Sequence, residues 1–526
     1  MEKADLIIKN ANIYTVDSSF SKAEAMVVKD GKILAIGDES EILSHFKSEF
    51  VLDLEGKPVF PGFIDAHCHF YGYGLGLLQR ADLTGTNSFD EVLDVLKKHH
   101  ETFSSFWIEG RGWDQNDWEI KEFPDKEKLD ILFPDNPVLL TRIDGHAAIA
   151  NTKALQIAGI ENNTRIEGGN IILKNGKPTG VLIDNAIDLV SKKNPKPDVQ
   201  QISKALLAAQ QKCFEVGLTG VHDAGLDANI IGIIDSLQKT GQLKMKIYAM
   251  LSPTKKNFST YVAKGPYKTD KLNVRSIKLY ADGALGSRGA KMLQDYSDDP
   301  GNTGLVLTSP DSIRNFCQKA LENNYQVCTH AIGDSANRMM LTIYGEFLKG
   351  SNDKRWRIEH DQVVAEEDFD LFGKFSIVPS VQPTHATSDM YWAANRVGAE
   401  RVKGAYAYKQ LMVQNGWLPL GTDFPIENIN PLFTFYAATE RKDLKGFPEG
   451  GFQIENALNR EDALKGMTIW AAKAAFEENE KGSLESGKKA DFVVLEKDIM
   501  EIPGSEIPQT KILMTFIDGK MVFEPK

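Results

Sequence analysis

Apolar residues recur along this chain in distinct rhythms. Near the N-terminus they alternate with polar ones in short runs, at residues 5–10, 11–16, 25–29, 32–36 and 49–54. That two-residue period is the mark of half-buried β-strands. Asp30-Gly31 separates two of the runs, and a tight hairpin turn with positive φ at both central positions favours such a pair. The C-terminus repeats the pattern at residues 490–495, 512–517 and 520–523, with Asp518-Gly519 at the second turn. Neither end has enough strands to bury a sheet alone. A small β-sandwich domain built from both termini, residues 1–58 and 480–526, is therefore expected.

Between them, residues 59–479 change rhythm. Compact apolar runs of strand length alternate with amphipathic stretches such as 199–216 and 312–323, the pattern of a parallel α/β fold. Eight strands can be placed: one ending at His67 and His69, then 217–223, 245–250, 276–282, 326–330, 355–360, 376–381 and 418–423. Eight such units predict a (β/α)8 TIM-like barrel. Pro61-Gly62 marks the entry from the β-domain into the first strand. About 145 residues separate the first strand from the second, too many for a plain crossover. An inserted subdomain at about residues 80–200 is expected there. Within it, residues 136–142 read as a strand and 147–157 as a helix.

Composition narrows the partners. The chain has 526 residues, 42% hydrophobic and 25% charged, with a formal net charge of -12. A large core follows, and the charge argues against nucleic acid as a partner. No apolar run reaches the ~18 residues that span a bilayer, so no membrane association is expected. The four cysteines form no CxxC pair and read as reduced thiols. With no apolar leader after Met1, a cytoplasmic protein is expected. A homodimer is the default assembly.

The polar residues that close the barrel runs carry the chemistry. His67 and His69, His222 and Asp223, Lys278, His330, His360 and Asp423 all fall at proposed strand ends, the rim where barrel active sites lie. Residues i and i+2 of a strand share a face, so His67 and His69 aim two imidazoles at one point. Imidazole and carboxylate together suit Zn2+ or another divalent metal, as one ion or two. Lys278, inside the apolar run Ile277-Lys278-Leu279-Tyr280, admits two readings. Burial can free a neutral amine that reacts with CO2 to give a bridging carbamate, or the lysine pairs with an acid such as Asp282.

Longer motifs add a resemblance. Pro61-Gly62-Phe63-Ile64-Asp65-Ala66-His67-Cys68-His69, Asp144-Gly145-His146-Ala147, Asp282-Gly283-Ala284-Leu285-Gly286-Ser287-Arg288, Thr329-His330-Ala331-Ile332-Gly333-Asp334, Arg357-Ile358-Glu359-His360 and Gly421-Thr422-Asp423-Phe424-Pro425 resemble the amidohydrolase superfamily. Within it they resemble the amidohydrolase 3 branch that includes the N-substituted formamide deformylases. The resemblance spans nearly the whole chain. It implies a metal-dependent hydrolase in which His67, His69 and Asp423 hold one ion and His330 and His360 a second. A carboxylated Lys278 would bridge them.

The expected activity is cleavage of a C–N amide-type bond, in an N-substituted formamide or N-acyl amine, by metal-activated hydroxide. Asp423 would act as the proton carrier. His146 is a candidate to polarise the carbonyl. His222, Arg288 and Trp113 (with Asp114) are candidate substrate contacts, each with a purely structural alternative. A deaminase or an ester or lactone hydrolase would use the same metal site. A non-catalytic binding protein would have lost a ligand, whereas His67, His69, His330, His360 and Asp423 are all present.

Overall fold

Strands buried on both faces suit a parallel sheet covered by helices. In this computed structural model, which describes residues 1–103 and 105–525, seven such strands hydrogen-bond in chain order. They are Phe63–Cys68, Leu218–Leu226, Lys246–Leu251, Leu272–Tyr280, Gln326–Ala331, Arg357–His360 and Val378–Ser380. Each neighbouring pair is parallel. Helices such as Val199–Glu215 and Pro310–Glu322 pack outside. The first is opened by an Asp198/Gln201 capping box and the second by Ser309, each satisfying backbone N–H groups that a helix start leaves free.

The eighth predicted run, 418–423, is not a regular strand, yet it closes the ring. Gly421 N donates to Val381 O at 3.0 Å on one side. On the other, Ala66 N donates to Leu420 O at 3.1 Å and Asp423 N to His67 O at 2.8 Å. Pro419 has no N–H to extend the ladder. Asp423 takes φ 64, outside the strand region. A Cβ at Gly421 would lie 2.6 Å from His67 N and 2.8 Å from Asp65 Oδ1, so only glycine permits this approach. The architecture is a TIM-like barrel with seven regular strands and an irregular closing segment.

Both chain ends meet in one six-stranded sheet, ordered Lys520–Phe523, Ile512–Ile517, Phe492–Leu495, Pro58–Pro61, Asn12–Tyr14, Lys22–Ala23. A four-stranded sheet of Lys32–Gly37, Ala25–Lys29, Leu6–Lys9 and Val51–Asp53 faces it. The two share a core that includes Ile8, Met26 and Val28 from one and Ile13, Phe492 and Phe516 from the other. Both Asp-Gly pairs turn with positive φ, Asp30 at 51° and Gly31 at 74°, Asp518 at 49° and Gly519 at 69°. Buried Lys246, at the start of the third barrel strand, ties the barrel to this sheet through Asp491 at 2.6 Å and Asp518 at 2.8 Å.

The long interval after the first strand holds a further six-stranded sheet: Ala81–Asp82, Ile108–Trp113, Val138–Arg142, Ala147–Ala150, Lys177–Asp184, Gly169–Lys174. Here one expectation fails. Residues 147–157 are not one helix. Ala147–Ala150 is a buried strand, antiparallel to both Val138–Arg142 and Lys177–Asp184, and the helix is only Thr152–Ala158, capped by Asn151. Pairing along both edges overrides the helix preference of alanine. Among the described residues no helix is long and apolar enough to cross a membrane, and all four cysteines are buried free thiols.

Candidate metal centre

The site forms where the barrel strands end. His67 is fully buried on the first strand, and His69 stands just past it, at the head of the helix Phe70–Gln79. Glu359 Oε2 lies 2.6 Å from His67 Nδ1. Glu359 is itself held by Arg357, whose Nε donates to Oε1 at 2.6 Å. Arg357 also donates to Ala66 O at 2.9 Å and meets His222 Nδ1 at 3.0 Å. Burial opposes the Glu359 charge, but Arg357 and His67 hold the carboxyl well below its usual value. Burial, with the nearby Lys278 ammonium, pulls His67 down to about 4. Its ring is therefore neutral at pH 7, with Nδ1–H committed to Glu359 and the lone pair on Nε2, where Lys278 Nζ approaches to 3.3 Å. A carboxylate on the distal nitrogen fixes a metal-binding histidine in this way.

Asp423 is where the imidazoles converge. Its Oδ1 lies 3.3 Å from His69 Nε2 and 3.7 Å from His67 Nε2, but neither approach makes a hydrogen bond, and Oδ1 is a buried oxygen without a partner. Its Oδ2 lies 3.3 Å from His385 Nε2 and 4.0 Å from His360 Nδ1. Gln382 Oε1 engages His360 Nδ1 at 2.7 Å, leaving Nε2 as the ligand atom. Two donor sets overlap at Asp423, His67/His69/Asp423 and His360/His385/Asp423, with the donor atoms of each within 4.8 Å of one another. An orphaned buried carboxylate oxygen facing the Nε2 atoms of His67 and His69 is a donor arrangement that fits a divalent cation.

His330 ends the fifth strand beside this cluster, its ring 4.6 Å from that of His360. Its Nε2 is turned toward Gly283 O at 3.3 Å, and it belongs to neither donor set. Lys278 Nζ lies 3.3 Å from His67 Nε2. Its pairing with Asp282, one of the two sequence readings, is absent. The Asp282 carboxylate instead accepts from the backbone N–H groups of Lys291, Ile332 and Gly333. Burial lowers Lys278 to about 8.

A cavity of about 690 Å³ opens over the cluster, lined by His69, Lys278, His330, His360, His385 and Asp423. His146 from the inserted sheet also lines it, and its Nδ1 meets Asp184 Oδ1 at 2.6 Å. Trp113, Arg288 and His222 do not reach the cavity. Trp113 is buried against Trp118, its Nε1 donating to Leu140 O. Arg288 turns to the surface and pairs with Asp298 at 3.0 Å. His222 is buried behind the site, where it takes a hydrogen bond from Arg357. Asp114 does line the cavity, bonded to Arg142.

Sequence reasoning missed His385, Glu359 and Arg357. His385 lies in the helix Pro383–Asp389 just after the seventh strand. That strand was the one proposed barrel run, apart from 245–250, without a titratable residue at its end, which was the available signal. Arg357 and Glu359 were visible as an i, i+2 charged pair on one strand face. His360 follows with φ 85, which takes the chain out of the strand at the ligand position.

The sequence matches the amidohydrolase family over residues 51–523. Protein LONG AFTER FAR-RED 3 of Arabidopsis thaliana is 33% identical over 539 residues, covering 99% of this chain and 92% of that protein. N-substituted formamide deformylase of Arthrobacter pascens is 26% identical over 545 residues, covering 99% and 98%. Among solved structures, an uncharacterized metal-dependent hydrolase from Pyrococcus horikoshii superposes with a TM-score of 0.76 at 27% identity, covering 95% of this chain and 99% of that one. Sequence, barrel and ligand cluster agree: this chain belongs to the amidohydrolase family, in its amidohydrolase 3 branch, and is a metal-dependent hydrolase.

Proposed function

We propose that the protein hydrolyses a C–N amide-type bond in a small molecule of the N-substituted formamide or N-acyl amine class. The observation that carries this reading is Asp423, a buried carboxylate with one unpartnered oxygen at the meeting point of His67, His69, His360 and His385. The full-length similarity to a formamide deformylase supports the choice of bond. His67, His69 and Asp423 would hold one ion, and His360, with His330 or His385, a second. Zn2+ or another divalent ion bound there supplies Lewis acidity and lowers the pKa of water. Amide cleavage also needs a proton delivered to the departing nitrogen. Asp423 can carry it, since it lines the cavity. Asp184 fixes His146 through Nδ1, leaving Nε2 to meet the carbonyl oxygen.

The test is a screen of the Zn2+-loaded protein against N-formyl amines, N-acyl amines, amidines and esters. Turnover of the first two is expected, lost with a chelator and regained on adding Zn2+. Turnover confined to amidines would make it a deaminase, and turnover confined to esters an esterase.

Lys278 is proposed to be carboxylated. It is a buried amine that forms no ion pair among the described residues. The neutral nitrogen adds to CO2, forms the N–C bond and releases one proton, giving an anionic carbamate with two oxygen donors. Lys278→Ala is expected to lose at least one equivalent of metal and more than about 100-fold in kcat. Short carboxylic acids such as formate should restore part of both. Normal metal content in Lys278→Ala, by elemental analysis, would exclude the carbamate.

The facing terminal sheets (1–58 and 480–526) are read as one β-sandwich domain and residues 80–200 as an inserted subdomain. The separate apolar cores of the two regions support this.

A further inference from the structure

The arginines in the cavity wall are Arg80, Arg111 and Arg142. They differ in what neutralises them. Arg142 is saturated: Nε donates to Gln115 Oε1 at 2.8 Å, Nη1 to Asp144 Oδ2 at 2.6 Å, and Nη2 to Asp114. Arg80 Nε lies 3.5 Å from Glu109. Arg111 forms no ion pair among the described residues. Its Nη2 donates to Ile143 O at 2.9 Å, and among the described residues its buried Nε has no partner and its Nη1 makes no hydrogen bond. A guanidinium stays charged at any physiological pH. Holding one in a cavity wall without an acid costs stability that a ligand can return.

Position sharpens this. Arg111 stands on the strand Ile108–Trp113 of the inserted sheet, beside the Asp144-Gly145-His146 loop. A Cβ on Gly145 would come 3.4 Å from Arg111 Nη1, which places the fork against this loop. Arg111 and Asp423 line the same cavity, which puts the fork and the reacting end in one space. Asp144 and Asp423, acids of the same cavity wall, are committed elsewhere: Asp144 to Arg142, and Asp423 to the histidine cluster. Arg111 and Arg80 bring positive charge to this wall, and the carboxylates of Asp144 and Asp423 along the same cavity favour a monoanion over a dianion.

We propose that Arg111 anchors the substrate, and that the amide cleaved here carries a carboxylate, as an N-acyl amino acid does. Nη1 and the second hydrogen of Nη2 would take the two carboxylate oxygens, the paired geometry guanidinium favours. This narrows the substrate class of the amide-hydrolase reading and rests on it.

Calorimetric binding of N-acetylphenylalanine and of its neutral partner N-acetylphenylalaninamide to the Zn2+-loaded protein tests the anchor. The acid is expected to bind about tenfold or more tighter than the amide. In Arg111→Gln that ratio should fall to about one, and in Arg111→Lys, which keeps the charge and loses the fork, to an intermediate value. A carboxylate held by the metal alone would keep its preference in Arg111→Gln, which would overturn the proposal. So would equal binding of the two probes to the unsubstituted protein. If Arg111→Gln does not fold, an undiminished preference in Arg111→Lys overturns it equally. Product analysis of the same samples separates the two readings. Hydrolysis of acyl amines without a charge preference removes the anchor and keeps the amide hydrolase. A charge preference that depends on Arg111, with no acyl amine hydrolysed, keeps the anchor and removes the hydrolase reading.

Discussion

Asp423→Asn is expected to lower kcat on N-acyl amines by about three orders of magnitude or more, and to lower bound metal with it. The substitution keeps the shape of the side chain and removes its charge. A proton carrier alone contributes about 10²–10⁴ in rate, and each tenfold is about 1.4 kcal/mol of transition-state free energy. The anion also serves both donor sets, so its loss weakens the hold on any ion bound by either. The fold should survive, because His385 retains Glu427 at 3.2 Å and the backbone bond from residue 423 to His67 O does not need the carboxylate. The measurements are kcat, metal content by elemental analysis, and the unfolding midpoint of the metal-free protein. Unchanged kcat with full metal would exclude Asp423 from both roles.

Much of this site was legible because strand geometry is simple. His67 and His69 could be read from an i, i+2 spacing at the end of an apolar run, and both face Asp423. The 418–423 run was legible as apolar and put Asp423 at the closing edge of the barrel, where the structure has it, although its backbone is irregular. Residues supplied from outside a strand were harder. His385 comes from a short helix after the seventh strand, where no two-residue period points at the barrel axis. Arg288 sat two residues past a recognisable Leu285-Gly286, yet its backbone takes φ 58 and its side chain meets Asp298 at the surface. Trp113 and Asp114 were read together as residues of the insert that could line the pocket, with a core tryptophan and a turn aspartate as the alternative. A register shift between Arg111 and Trp113, with Gly112 at φ 113, turns Trp113 into the insert core, while Asp114, just past the strand, lines the cavity wall. The saturation of Arg142 and the isolation of Arg111 depend on which loops pack together, and one sequence does not carry that.

The charges behind the histidines were the least visible part, and they predict the largest effect on stability. Arg357, Glu359, His67 and His222 are fully buried or nearly so and bonded in a chain that crosses the barrel. Glu359→Ala removes the one anion in that chain. It leaves the Arg357 guanidinium with a carbonyl, an imidazole and no counter-charge, a loss expected to cost about 3–5 kcal/mol. It also frees the His67 tautomer, which should weaken metal binding about 10- to 100-fold. Glu359→Gln should show the tautomer effect with a smaller stability loss, since the amide oxygen can still accept from Arg357. The sign of the pH dependence follows from the depressed carboxyl. Its folded pKa lies below the ordinary value of 4.5, so the pair's stabilisation is fully present above that value. It is lost as pH falls from there toward the folded pKa. Urea unfolding of the metal-free proteins should therefore give a gap between wild type and Glu359→Gln that is flat from pH 7 to 5 and narrows below about 4.5. A gap that stays constant down to pH 3 would mean that the charge on Glu359 does not hold Arg357. The orientation of His67 would then need another cause.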